Sequence, residues 1–236
     1  MKKKIKNQMI ILCGGRGKRM GKITKSIPKP MIKIGRTPII EHKINFYVSQ
    51  GIDNFFFCLG YKSEILKKFL LKKKIKQESF SDQGETPGIL KRIYCLKDQI
   101  KEPAIISYGD TLAKINFKKL IASHVRSRCI LTIVVAPIQN PFGLVKWDSK
   151  RRATNFDEKP VLNHFIGYAV ISSNFFKKIS NKIVNLSDGK GVVQAIKYLS
   201  KKKMVNIYKF NDLQITINSP DELRYAKKNY NKYFTI

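Results

Sequence analysis

The densest chemistry in the sequence lies at residues 13–20, where Cys13-Gly14-Gly15-Arg16-Gly17-Lys18-Arg19-Met20 follows an apolar run at 9–12. Glycines at 14, 15 and 17 let backbone N–H groups approach an anion with no Cβ in the way. Arg16, Lys18 and Arg19 add positive charge at the same place, and an arginine can grip a phosphate through two parallel hydrogen bonds. The loop matches neither common alternative. A dinucleotide fingerprint starting at Gly15 needs glycine at 20 and meets Met20, and no G-x-x-x-x-G-K-[ST] occurs anywhere in the chain. A glycine-rich turn with structural duty alone is the competing reading.

Three further groups could carry chemistry: Lys29 between Pro28 and Pro30, Asp110 at the end of Ser107-Tyr108-Gly109-Asp110, and the cluster Asp157-Glu158-Lys159-Pro160. Taken singly, each has a bland alternative. Lys29 is one lysine among many, an aspartate after a strand is more often a turn or N-cap residue, and the last group reads as a surface charge cluster. His42, His124 and His164 form no constellation. Cys13, Cys58, Cys95 and Cys129 stand far apart with no C-x-x-C pair, so neither a zinc site nor a disulfide framework is suggested, and buried reduced thiols are expected.

The elements that must position these groups follow from the hydrophobic pattern. Strands at 9–12, 54–59, 104–108 and 130–136 alternate with helices at 38–50, stopped by Gly51, at 63–71 and at 117–126. This βαβα alternation predicts an α/β fold with a mostly parallel sheet covered by helices on both faces. It also puts the glycine loop at the C-terminal edge of the sheet, where open α/β folds bind ligands. After Pro137 come short strands near 143–147, 154–156 and 165–171, a helix at 192–199, strands at 205–210 and 214–217, and a last helix opened by Pro220. With no internal repeat and no Pro/Ser-rich linker, a single domain over 1–236 is expected.

The chain has 236 residues, with 47 Lys plus Arg against 16 Asp plus Glu and a formal charge of +31. Such a charge raises the local concentration of any anion without choosing among them. Its runs, at 72–74 and 201–203, read as a solvated lysine-rich surface, and no specific nucleic-acid partner is expected. The run at 9–12 is far too short for a signal-peptide core, and no stretch reaches the length of a transmembrane helix. The expectation is a cytoplasmic protein that meets a membrane only at its surface, if at all; a homo-oligomer stays open.

Read in order, Gly14-Gly15-x-Gly17-x-Arg19-Met20, Pro28-Lys29-Pro30-Met31, and Ile34-Gly35 with Pro38-Ile39 resemble the signature of the sugar-nucleotide pyrophosphorylases. The resemblance continues through Cys58-Leu59-Gly60-Tyr61-Lys62, the segment 82–92, Tyr108-Gly109-Asp110, Phe142-Gly143 and Glu158-Lys159-Pro160. It covers the first two thirds well and the last third weakly, and is strongest toward the glucose-1-phosphate cytidylyltransferase branch. It implies a Rossmann-like three-layer sandwich of the nucleotide-diphospho-sugar transferase type, with a mostly parallel mixed sheet. The implied reaction joins an NTP, CTP favoured, to a sugar 1-phosphate, glucose 1-phosphate favoured, with Mg²⁺ as cofactor and pyrophosphate as leaving group. A non-catalytic nucleotide-binding relative, or cytidylyl or guanylyl transfer to another phosphorylated acceptor, is the alternative.

The same resemblance implies roles for the matched residues. Residues up to about 136 form a nucleotide-binding half and 137–236 a sugar-phosphate half. Gly14, Gly15, Gly17 and Lys18 hold the nucleotide, Arg19 its β and γ phosphates, and Lys29 its α-phosphate. Gly88 offers its backbone to the pyrimidine edge, and Lys91 contacts base or phosphate. Asp110 holds Mg²⁺, Glu158 orients the sugar, Lys159 meets its phosphate, and Gly167 lies under the sugar ring. Two departures stand out. Pro87 occupies a position where glycine is expected, in a loop shorter than the cytidylyltransferase pattern. Asn218 occupies the place of the second metal-binding aspartate, where an amide oxygen can still coordinate Mg²⁺ but brings no charge. A glutamate is also missing around 188–192.

Overall fold

The computed structural model describes residues 8–229 except 74, 76 and 102. Strand β1 (Gln8–Leu12) leads to helix α1 (Ile23–Ser26), the short strands β2 (Lys33–Ile34) and β3 (Thr37–Pro38), helix α2 (Ile39–Ser49) and β4 (Asn54–Leu59). Then come α3 (Ser63–Leu71), β5 (Gln77–Asp82), α4 (Ile89–Tyr94), β6 (Ala104–Tyr108), β7 (Thr111–Ala113) and α5 (Phe117–Ser127). The rest holds β8 (Leu131–Gln139), β9 (Leu144–Trp147), β10 (Ala153–Asp157), β11 (Val161–Ile171), α6 (Asn181–Val184) and α7 (Lys190–Lys201). Strands β12 (Val205–Lys209) and β13 (Gln214–Thr216) and helix α8 (Pro220–Lys228) end it.

Seven strands form one sheet in the order β12-β8-β11-β6-β1-β4-β5. All its pairings are parallel except those of β11, which runs antiparallel to both β6 and β8. The expected mostly parallel mixed sheet is present, and it draws strands from both sides of Pro137.

Strands buried on both faces read as continuous apolar runs, and β1 and β4 do so. Met9, Ile11, Phe55 and Phe57 pack beneath α2, α3 and α5, while Ile10, Phe56 and Cys58 face α4, α6 and α7. Burying each such phenylalanine stabilises the fold by roughly 1.5–3 kcal/mol. These two clusters make the three layers.

Besides the short α1, β2, β3, β7 and α6, two longer elements were not anticipated from the pattern. β5 reads Gln-Glu-Ser-Phe-Ser-Asp, with Phe80 its one large apolar side chain, stacked 5.7 Å from Phe57. It pairs only with β4, and an edge strand needs few apolar residues. α4 is only six residues long, too short to display a period. A third difference lies at β8, which does not stop before Pro137 but runs through it to Gln139, paired with the start of β11. Pro137 is tolerated because β12, the other neighbour of β8, has ended by then, opposite Val135. Residues 137–165 therefore leave the sheet as an antiparallel ribbon, continued by the β9/β10 hairpin.

Cys13 and Cys58 are buried as expected, but Cys129 is half-buried and Cys95 is exposed at the end of the unanticipated α4. His124 is tied into the core by Thr132 and Ser172, and burial pulls its pKa down.

Candidate active site

A cleft of about 510 Å³ opens beyond the C-terminal ends of β1 and β6. Here the strand order reverses: the chain leaves β1 toward β4 and β5 on one side and returns to β6 on the other. Open α/β sheets hold ligands at such switch points.

The glycine loop forms one wall. Cys13 N donates to Cys58 O at 2.8 Å and Tyr61 N to Gly14 O at 3.1 Å, which pins the loop to the end of β4. A Cβ on Gly14 would stand 2.8 Å from Leu59 O and 3.0 Å from the Arg92 guanidinium, so only glycine fits. Gly17 adopts φ +61°, and its carbonyl accepts from Thr24 Oγ1 at 3.1 Å and from Met20 N at 2.9 Å. Across the mouth, Arg16 and Glu85 form a 2.6 Å ion pair that is largely exposed and so of small energetic weight.

The floor is a cation network around Lys29. Its Nζ lies 2.5 Å from Asp110 Oδ2 and donates to Asn218 Oδ1 at 3.0 Å. Arg19 donates to the same Asn218 oxygen at 2.8 Å. Each member is placed by local structure. Lys29 opens a tight turn between Pro28, extended at φ −68°, and Pro30. Asp110 and Asn218 meet because β7 and β13 pair with Thr111 opposite Thr216, and Ile217 N donates to Asp110 O at 2.9 Å. The backbone of Asn218 and Ser219 is then fixed by Glu222, whose carboxylate accepts both N–H groups as part of the capping box of α8.

The cleft is lined by five cations (Arg16, Lys18, Arg19, Lys29, Arg92) against three anions (Glu85, Asp110, Asp188), a balance that draws in polyanions. Arg92 is 4% exposed and donates to the carbonyls of Leu59 and Glu85; burial lowers its pKa. Burial pushes the Cys13 thiol up to about 12 and, with Asp110 adding to it, the Tyr108 phenol to about 12, so both stay protonated. Cys13 lines the cleft without being a nucleophile.

Gly14, Gly15, Gly17, Lys18, Arg19, Lys29 and Asp110 all line this cleft, and Asn218 is bonded to two of them. Gly88 and Lys91 do not line it. Gly88 is pressed against the loop before α7, where a Cβ would meet Leu186 O at 2.2 Å, and Lys91 lies over the Tyr94 ring. Their neighbours Pro87, Ile89 and Arg92 face the cleft instead. Glu158 and Lys159 lie on the ribbon, 3.6 Å apart with side chains 60% and 61% exposed. Gly167, at φ +80°, packs on Tyr108, which lines the cleft. Sequence reasoning missed Arg92 and Asp188. No periodic signal marked Arg92, because the six-residue α4 that buries it beside the loop is too short to show one.

Among the described residues, no three His, Cys, Asp or Glu side chains gather to hold a metal ion. The oxygen pair of Asp110 and Asn218, bridged by Lys29, suits Mg²⁺, which binds through one or two protein oxygens and takes the rest from water and phosphates.

A three-layer sheet whose switch-point cleft combines bare glycine backbone with converging cations defines an α/β protein with a site suited to phosphate-bearing ligands. Residues 8–214 match the model of the nucleotidyl transferase family, and the chain belongs to that family. It is a sugar-phosphate nucleotidyltransferase. It is 29% identical, over 94% of its length and 96% of the relative's, to a probable glucose-1-phosphate cytidylyltransferase of Bacillus subtilis. Over 64% of its length and 68% of the relative's it is 31% identical to a D-glycero-alpha-D-manno-heptose 1-phosphate guanylyltransferase of Campylobacter jejuni. The crystal structure of HddC from Yersinia pseudotuberculosis superposes with a TM-score of 0.74 over 95% of this chain and 99% of that one, at 21% identity, and shares the fold. No helix of the described residues is long and apolar enough to cross a membrane.

Proposed function

We propose that this chain transfers a nucleotidyl group from an NTP to a sugar 1-phosphate and releases pyrophosphate, with CTP and glucose 1-phosphate as the preferred pair. The observation that carries this reading is the junction of Lys29, Asp110, Asn218 and Arg19 beside the glycine loop. A phosphate oxygen of the acceptor attacks the α-phosphorus in line; the new P–O bond forms as the bond to the β-phosphate oxygen breaks. Lys29 swings from Asp110 to the α-phosphate, where negative charge rises. Arg19, Lys18 and the N–H groups of Gly14, Gly15 and Gly17 hold the β and γ phosphates that depart. The carboxylate freed by Lys29 is then available to a cation. Mg²⁺ held by Asp110, with Asn218 as a neutral second oxygen, would supply charge neutralisation and alignment of the phosphates. Glu158 and Lys159 orient the sugar and its phosphate, and Gly167 lets the ring approach Tyr108.

The similarity to a cytidylyltransferase over nearly the whole chain supports CTP, and that to a guanylyltransferase makes GTP the second base to test. Pyrophosphate release with Mg²⁺ is measured for CTP, UTP, GTP, ATP and dTTP against glucose 1-phosphate and then other phosphorylated acceptors. The strongest signal is expected for CTP with glucose 1-phosphate. Silence across the panel with nucleotide binding intact by calorimetry overturns catalysis. Asn218→Asp, which adds a charge beside Asp110, then lowers the Mg²⁺ concentration for half-activity several-fold.

A further inference from the structure

Behind the cleft, α2 buries a lysine. Lys43 is 1% exposed, and its Nζ donates to the Thr111 carbonyl and, at 3.0 Å, to the Tyr168 hydroxyl. It lies 5.3 Å from the centre of the Tyr47 ring and 5.0 Å from that of Tyr168, within cation–π range of both. Its two acceptors are neutral oxygens, and none of the ion pairs among the described residues includes it. Burying an ammonium without a carboxylate partner is costly. The fold does not require this charge, because Tyr168 also donates to the Thr111 carbonyl, at 3.0 Å, and would keep it satisfied without the lysine. A costly group that the fold does not require points to function.

What the lysine holds lies next to the site. Lysine only donates, so Tyr168 accepts from it and gives its own proton to Thr111. Tyr47 then donates to the Tyr168 hydroxyl at 3.0 Å and accepts from Ser107 Oγ at 2.6 Å. Lys43 and Tyr47 stand four residues apart on one face of α2 and grip the chain on both sides of Asp110: Ser107 lies three residues before it and Thr111 directly after. The start of the same helix is tied to the turn that carries Lys29, with Ile39 N donating to Ile32 O at 2.9 Å and Ile32 N to Lys29 O at 3.1 Å. One helix thus braces both members of the Lys29–Asp110 ion pair from behind.

We propose that Lys43 is a positioning residue for nucleotidyl transfer: through the Thr111 carbonyl it holds Asp110 in place while Lys29 leaves that carboxylate for the α-phosphate. The proposal rests on the function proposed above. An acid that loses its ion-pair partner and takes up a metal ion in the same cycle keeps its place only if its backbone is held by other groups. Ile217 N holds the Asp110 carbonyl at 2.9 Å, and Lys43 and Tyr168 hold the next one. A hydrogen bond from an ammonium is about twice as strong as one from a neutral hydroxyl, so Lys43 is the stiffer of the two anchors on Thr111.

Lys43→Met removes the donor and the charge at nearly constant volume. The expected result is unchanged far-ultraviolet circular dichroism and a urea midpoint at or above the wild-type value, with kcat lowered about 10–100-fold and the KM for the NTP within about twofold. The affinity of the NTP-bound protein for Mg²⁺, measured by calorimetry, should weaken several-fold. Lys43→Gln, which returns a donor to Thr111 without the charge, should recover part of the lost kcat. Wild-type kcat and Mg²⁺ affinity in Lys43→Met overturn the proposal. So does a loss of kcat matched by a fall in the urea midpoint and a rise in the KM for the NTP, which assigns Lys43 to the fold alone. If Lys43→Met does not fold, Tyr47→Phe carries the test, since it deletes only the hydroxyl that reaches Ser107: a smaller fall in kcat with weakened Mg²⁺ binding is expected, and wild-type values overturn the proposal. If the wild-type chain releases pyrophosphate from no substrate pair, the proposed function fails, while the Mg²⁺ affinity of Lys43→Met against wild type still decides whether Lys43 positions Asp110.

Discussion

The cleft and the ribbon hold their charged side chains in opposite ways. In the cleft, Lys29 is 8% exposed and Arg92 4%; Lys29 is held by Asp110 and Asn218, just beyond the ends of β6 and β13, and Arg92 by the Leu59 carbonyl at the end of β4. On the ribbon, Glu158 and Lys159 are more than half exposed and touch chiefly one another. A polyanion gains most from charges fixed before it arrives, because no reorganisation is left for the moment of reaction. The ribbon residues, by contrast, stand beside a two-stranded hairpin that no third strand borders among the described residues. On the proposed function, the nucleotide side is preorganised and the acceptor side is not.

The largest expected break in that contrast comes from Lys29→Met. Removing the cation at the α-phosphate should lower kcat by about 10²–10³-fold, read by pyrophosphate release, and leave Asp110 without its partner, so urea unfolding should also show a loss of stability. Arg92→Leu should act on the fold, because the carbonyls of Leu59 and Glu85 lose their donor. A loss of about 2–3 kcal/mol in urea unfolding is expected, and an unchanged midpoint would contradict the rigid wall described here. Lys159→Met should raise the KM for the sugar phosphate about tenfold and leave NTP binding intact, which separates the two halves of the site. The smallest effect is chemical. With its pKa raised to about 12, the Cys13 thiol holds its proton through pH 8, so its thiolate fraction is minute; Cys95 is exposed. A maleimide at pH 8 should label Cys95 first and Cys13 last, and rapid labelling of Cys13 would show that the loop opens.

Much of the cleft was legible in the sequence because it rests on short-range chemistry. Glycines at 14, 15 and 17, the frame around Lys29 and a strand ending on Asp110 are each visible within a few residues. The long-range partnership of Asp110 with Asn218 depends on β7 and β13 pairing across more than a hundred residues, and only the family resemblance put the two together. Arg92 escaped notice because its helix is six residues long, and β5 because an edge strand carries one apolar side chain. The ribbon was read as separate short strands because Pro137 looks like a terminator, and its effect depends on where β12 ends.

The packing around Arg92 also bears on how this chain can drift over generations. A Cβ on Gly60 would meet Arg92 at 2.6 Å and Gly14 O at 2.7 Å, and one on Gly14 would meet Leu59 O at 2.8 Å and Arg92 at 3.0 Å. Replacing Arg92 frees neither glycine, since the neighbouring backbone blocks both as well. Gly14 and Gly60 are therefore held by backbone whatever stands at 92, and neither has a single-step exit to a larger residue. A lineage can thus vary the residue at 92 while the loop backbone that carries Gly14 keeps its shape.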